Sequence, residues 1–182
     1  MGKKILWRVV KKVEKNKHDG KEYTKPTIYE VFDLYIGGGN VQINRYLRCG
    51  ETELFDTEHK VYADIISAEI DKFYIPENIV TYRVIDKYGL CKMTKGRVKK
   101  GTILMDRALL STGLVYDNLR NKPNKDYLLQ ILVPKGTKGI YIGLISGLNE
   151  QELILSSNTK MKVIDIYKYD KKKVFQCILI RD

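Results

Sequence analysis

The stretch NIVTYRVI, residues 78–85, decides the fold class of this chain. It is rich in β-branched and aromatic residues and opens a series of short runs of the same kind. These are TILMD (102–106), YLLQILVP (127–134), GIYIGLI (139–145), ELILS (152–156), TKMKVIDIYKY (159–169) and KVFQCILIR (173–181). Turn-like pieces separate them: PKGTKG, SGLNE and SSNT. Upstream of residue 78 the pattern is different. Ile28, Val31, Phe32 and Tyr35 fall on one helical stripe, and Val61, Ile65 and Ile70 in HKVYADIISAEIDKF suggest another. Between them, GGGNVQINRYLRCG (37–50) begins with three glycines suited to a sharp turn and closes on a glycine fit to end a short helix. The reading is two helices and a turn, then strands. Helices followed by a run of strands argue for an α+β domain with two packed antiparallel-rich β-sheets, not an alternating nucleotide-binding fold.

A length of 182 residues fits one compact domain spanning 1–182, and no internal repeat divides it. The formal charge of +11 favours anionic partners such as nucleotides, nucleic acid or acidic membranes, without choosing among them. Runs such as Lys171-Lys172-Lys173 are read first as a solvated face. Cys49, Cys91 and Cys177 are widely spaced and contain no C-x-x-C pair, and His18 and His59 have no ligand-like neighbours. Neither a disulfide framework nor a metal site is expected. The opening MGKKILWRVVKKVEK is too interrupted by charge for a signal peptide, and no membrane insertion is expected. A cytoplasmic protein and a domain exported by another route both fit. Two loops stand out: the basic KMTKGRVKKG (92–101) and the polar GLVYDNLRNKPNKD (113–126), which looks mobile.

Four pieces of sequence carry chemistry. In NEQELIL (149–155), Glu150 and Glu152 are two residues apart, so an extended strand would put both carboxylates on one face. Like charges held close push one pKa up and can leave one group as a base beside an anionic partner. The plainer alternative is a polar turn and a solvent-facing strand start. YRVID (82–86) places Arg83 in an otherwise apolar strand, where a guanidinium needs an anion: a phosphate, or a structural carboxylate. DRALLSTGL (106–114) offers the hydroxyls of Ser111 and Thr112, either to hold a carboxylate in a cleft or to form a turn or cap. LYIGGGNVQINRYLR (34–48) supplies Tyr35, Asn44 and Arg48 near a glycine turn.

In this order the pieces resemble the bacterial ADP-ribosyltransferase exoenzymes, which include clostridial actin-modifying and Rho-modifying toxins. That family runs I-N-x-Y-L-R on a helix, an aromatic-Arg strand, Ser-Thr-Ser, then Glu/Gln-x-Glu; this chain has INRYLR, YR, STG and EQE. ILVPKGTKGIYI before the glutamates and TKMKVIDI after them also look like the family's surroundings, and the resemblance covers residues 28–169. Four ordered motifs are far more specific than any one.

The resemblance implies a mono-ADP-ribosyltransferase that uses NAD as substrate and no metal. Glu152 would hold the nicotinamide ribose and steady the charge that develops as nicotinamide leaves, with Ser111 hydrogen-bonded to it and Thr112 supporting that corner. Glu150 would engage the acceptor, and glutamate there accompanies arginine acceptors. Arg83 would bind the dinucleotide phosphates, and Tyr35 and Asn44 would line the cofactor cleft. Arg120 and Tyr116 would come to the phosphates and the nicotinamide. The chain departs from the pattern at Gly113 (serine in the family), at Ala108 and Asn40 (often aromatic), and in SGLN, where Leu148 stands in place of a target-contacting aromatic. The expected partners are NAD and a macromolecular acceptor, a protein first and nucleic acid second, with the chain a monomer. Two rivals remain: a catalytically weakened basic binding module on the same fold, and a glycosidase.

Overall fold

The structure is a computed structural model, and it describes residues 13–15, 22–24, 26–50, 56–119, 123–143 and 151–180. Thr27 starts the first helix, α1 (Ile28–Leu34). Its hydroxyl accepts the Glu30 N–H at 3.2 Å while the Glu30 carboxylate accepts the Thr27 N–H at 2.7 Å, so two donors that the helix leaves orphaned are satisfied reciprocally. The chain continues through a π-helical turn (Tyr35–Gly39) directly into α2 (Asn40–Cys49), and α3 (Asp56–Ile70) follows. Gly38 has φ +115, and a Cβ at Gly39 would lie 2.8 Å from the Leu34 carbonyl oxygen, so this junction needs glycine at both positions. The expected glycine turn is present as a kink at Gly38, and the short helix expected to end at Gly50 stands as α2.

Strands β1 (Val13–Lys15) and β2 (Glu22–Thr24) pair with each other. The remaining strands are β3 (Ile79–Ile85), β4 (Ile103–Asp106), β5 (Leu110–Gly113), β6 (Tyr127–Val133), β7 (Gly139–Tyr141), β8 (Glu152–Leu155), β9 (Thr159–Tyr169) and β10 (Lys172–Leu179). They join in the order β4-β9-β10-β6-β3-β5-β8-β7, antiparallel except for the parallel pair β10–β6. The α+β class holds. The expectation of two packed sheets is corrected: these strands form one eight-stranded sheet, joined across its middle by the single pair Tyr82↔Gly113. Its two arms nevertheless share a core. Leu110, Leu153 and Leu155 of the short arm cluster with Leu129, Ile131, Phe175 and Cys177 of the long arm. Burying each such side chain stabilises by about 1.5–3 kcal/mol, which is enough to fold the arms together.

A second core holds the helices to the short arm. Val31, Phe32, Ile43, Ile66 and Ile70 pack with Leu109, Ile142 and Ile154. The short arm is therefore covered on both sides, by helices on one and by the long arm on the other. At Tyr82↔Gly113 only one residue pair bridges the arms.

One helix was not anticipated. α4 (Lys87–Met93) begins immediately after β3 inside DKYGLCKMT, where a glycine and alternating charges mask any periodicity. The signal was Asp86, whose carboxylate accepts the Gly89 N–H at 2.6 Å as an N-cap. The basic loop read over 92–101 begins only after this helix ends. Likewise, Ser111 and Thr112 lie in strand β5 and not in a turn or cap. Cys49 and Cys91 are exposed, whereas Cys177 is buried and burial pushes its thiol pKa up to about 12.

Candidate active site

A cleft of about 610 Å³ is lined by residues of α2, β3, α4 and β5 and by the first residue of β8. Seven of the residues singled out from the sequence line it: Tyr35, Asn44, Arg48, Arg83, Ser111, Thr112 and Glu152. Pairing explains why. β5 and β8 set Gly113 opposite Glu152 and Thr112 opposite Leu153, and β3 sets Tyr82 opposite Gly113, so residues from three strands converge on one seam.

The Ser111 hydroxyl donates to Glu152 Oε1, which fixes the carboxylate beside β5. Arg83 Nη1 donates to the Ser111 carbonyl at 2.9 Å, tying the guanidinium to the same strand. Thr112 is 2% exposed and donates to the Leu153 carbonyl at 3.1 Å, so its hydroxyl clamps β5 to β8. Arg83 also lies 3.5 Å from Asp106, so a structural ion pair does account for part of its burial. Asn44 Nδ2 donates to the Tyr35 hydroxyl at 3.2 Å. Tyr35 is buried, and its pKa is pushed up to about 12, first by desolvation and then by the nearby Glu152 carboxylate, against the lowering effect of Asn44 and Arg83. At neutral pH it stays a neutral phenol. Asn44 Oδ1 is a buried acceptor with no donor among the described residues, a position suited to a hydroxyl or amide of a polar ligand.

One of the anticipated residues is not brought there. Tyr116 lies outside the cleft lining, in a row of rings with Tyr82 (5.9 Å) and Tyr169 (5.7 Å), and its hydroxyl donates to Asp170 at 2.9 Å. Arg120 and Glu150 lie outside the described residues. β8 begins at Glu152, and Gln151 just before it has φ +44, a left-handed backbone.

Sequence reading missed part of the lining. Tyr88 and Lys92 come from the unanticipated α4, with the Lys92 ammonium 4.1 Å from the Tyr88 ring centroid. Lys125 Nζ bonds Asp86 Oδ2 at 2.8 Å, so the segment before β6 is tied to the α4 cap. This hydrogen bond, then that from Gly89, holds the Asp86 carboxyl below its usual pKa. Because the folded pKa is the depressed one, this contribution to stability is complete above the unfolded value of about 3.9 and fades as pH falls through the lower folded value. Asp86→Ala is expected to destabilise the fold by about 1 kcal/mol at pH 7, the usual worth of a cap. In urea titrations that difference should shrink towards zero below about pH 3.9. No grouping of His, Cys, Asp and Glu able to hold a metal ion occurs among the described residues, and no helix there is long and apolar enough to cross a membrane.

A profile of the ADP-ribosyltransferase exoenzymes matches residues 14–180, nearly the whole chain. The chain belongs to the ADP-ribosyltransferase exoenzyme family. Among curated relatives of this family, an NAD(+)-arginine ADP-ribosyltransferase of Enterococcus faecalis is 28% identical over 146 residues, which cover 76% of this chain and 29% of that protein. Among solved exoenzyme structures, the ADP-ribosylating toxin BECa of a C. perfringens binary enterotoxin superposes with a TM-score of 0.71 at 21% identity, covering 82% of this chain and 42% of that one. The Clostridium limosum C3 exoenzyme gives a TM-score of 0.69 at 19% identity, covering 85% of each chain. At such identities the superpositions establish the fold. The chain spans less than half the length of the E. faecalis relative and of BECa.

Proposed function

We propose that this chain is an NAD-dependent mono-ADP-ribosyltransferase whose acceptor is an arginine side chain of a protein. The observation that carries the reading is the Ser111–Glu152 hydrogen bond between two residues that line a cleft also lined by Arg83. A carboxylate kept in place before substrate arrives can stabilise positive charge on a sugar without reorganising during the reaction. Arg83, about one-fifth exposed, offers a planar fork to the NAD diphosphate. The ribosyl C–N bond breaks with its electron pair going to nicotinamide, which leaves neutral. The resulting cation-like ribose is held by Glu152 and attacked by a guanidinium nitrogen of the acceptor. That nitrogen loses a proton, and Glu150 is the base assigned to take it, because a protonated guanidinium is a poor nucleophile. The glutamate at position 150 and the arginine acceptor named for the E. faecalis relative both support this choice.

The test is incubation with NAD labelled in its adenylate half, with agmatine as a small guanidine or with bacterial and animal cell lysates. Nicotinamide release together with labelled agmatine and protease-sensitive labelled bands is the expected result. Intact NAD after prolonged incubation would sink the reading, leaving the basic binding module. The charge of +11 favours a second acceptor class, nucleic acid, for which the label would resist protease and yield to nuclease.

A further inference from the structure

We infer that Asp106 is a positioning residue that sets two arginines, Arg48 and Arg83, side by side as one diphosphate-binding unit; this rests on the NAD reading above. Asp106 closes β4, is only 3% exposed, and is one of few charged side chains buried among the described residues. A carboxylate so far from water is costly unless it is paired and hydrogen-bonded. Its partners are unusually complete. Oδ1 accepts from Arg48 Nε at 3.2 Å and Nη2 at 3.1 Å and from the Ala108 N–H at 3.0 Å, while Oδ2 accepts from Arg48 Nη2 at 3.1 Å and faces Arg83 Nη2 at 3.5 Å.

The arrangement has a purpose that stability alone does not supply. Arg48 comes from the last turn of α2 and Arg83 from β3, 35 positions later, so no shared backbone fixes their spacing. Two guanidiniums on adjoining elements repel each other, and a single carboxylate between them offsets that repulsion, chelating Arg48 and pairing with Arg83. It does not use up their donors. Both arginines line the cleft and stay about one-fifth exposed, and Arg48 Nη1 and Arg83 Nε have no partner among the described residues. Three groups carrying +1, +1 and −1 leave a net positive charge facing the cleft, which suits a diphosphate that brings two negative charges. Arg83 then passes the placement on: through the Ser111 carbonyl it is linked to the residue whose hydroxyl holds Glu152.

Asp106→Asn keeps size and loses charge. It is expected to raise the KM for NAD at least tenfold while kcat changes less than threefold, and to weaken ADP-ribose, measured by calorimetry, by a similar factor. Damage to the fold alone would do the opposite, lowering the active fraction and hence the apparent kcat at unchanged KM, and that outcome overturns the inference. Should Asp106→Asn not fold, Arg48→Lys retains the charge but cannot chelate both carboxylate oxygens, and it too must weaken ADP-ribose severalfold; unaltered affinity overturns the proposal. The calorimetric arm needs no catalysis, so a wild-type chain that binds ADP-ribose without cleaving NAD would refute the transferase reading while the arginine pair remained tested. A wild-type chain that binds neither would refute both.

Discussion

Glu152→Ala is expected to lower NAD cleavage and ADP-ribosyl transfer by on the order of 10³-fold, with the fold intact. The size follows from the role. Removing one preorganised group that stabilises charge in a transition state typically costs about 10²–10³ in rate, and a full carboxylate facing a developing cation belongs at the upper end of that range. The side chain is partly exposed at the first position of β8, and the apolar contacts of that strand come from Leu153, Ile154 and Leu155. Its loss therefore leaves both cores filled, and the melting temperature should move little. Nicotinamide release under single-turnover conditions, with thermal unfolding as the companion measurement, separates the two effects. Activity within tenfold of wild type would remove Glu152 from the chemistry.

The second large effect is a split. Glu150→Gln should leave hydrolysis of NAD within a few-fold of wild type yet depress transfer to agmatine by about 10²-fold or more, the range that loss of a general base produces. Water needs little help to capture a cation-like ribose, whereas a guanidinium must first be oriented and deprotonated. Measuring nicotinamide release and modified agmatine in the same reaction gives both rates. If the two fall together, Glu150 acts on NAD and not on the acceptor.

Much of the architecture could be read from the chain because short apolar, β-rich runs recur between clear turns, and each of the runs beginning at residues 78, 102, 127, 139, 152, 159 and 173 holds a strand. What escaped was set by local chemistry too short to show a period. α4 is seven residues with a glycine inside, and β5 is four residues whose polar Ser111 and Thr112 suited a turn equally well. The single sheet escaped for another reason: whether two arms join depends on one long-range pair, Tyr82↔Gly113, which no local pattern encodes. At the site, residue types pointed to groups that line the cleft, because Arg83 in an apolar strand demanded an anion. The structure shows that demand met in part by Asp106, a residue that sequence noted only as the start of a motif. The left-handed Gln151 was invisible too, since glutamine has no special preference for that conformation and only the strand's actual start exposes it.

The most direct measurement is a crystal structure of the Glu150→Gln chain soaked with NAD. The account predicts the Glu152 carboxylate within about 2.6–3.2 Å of a nicotinamide-ribose hydroxyl, with the diphosphate against Arg83. Dinucleotide bound elsewhere, or a Glu152 side chain turned to solvent and well beyond hydrogen-bonding reach of the ribose, would contradict it.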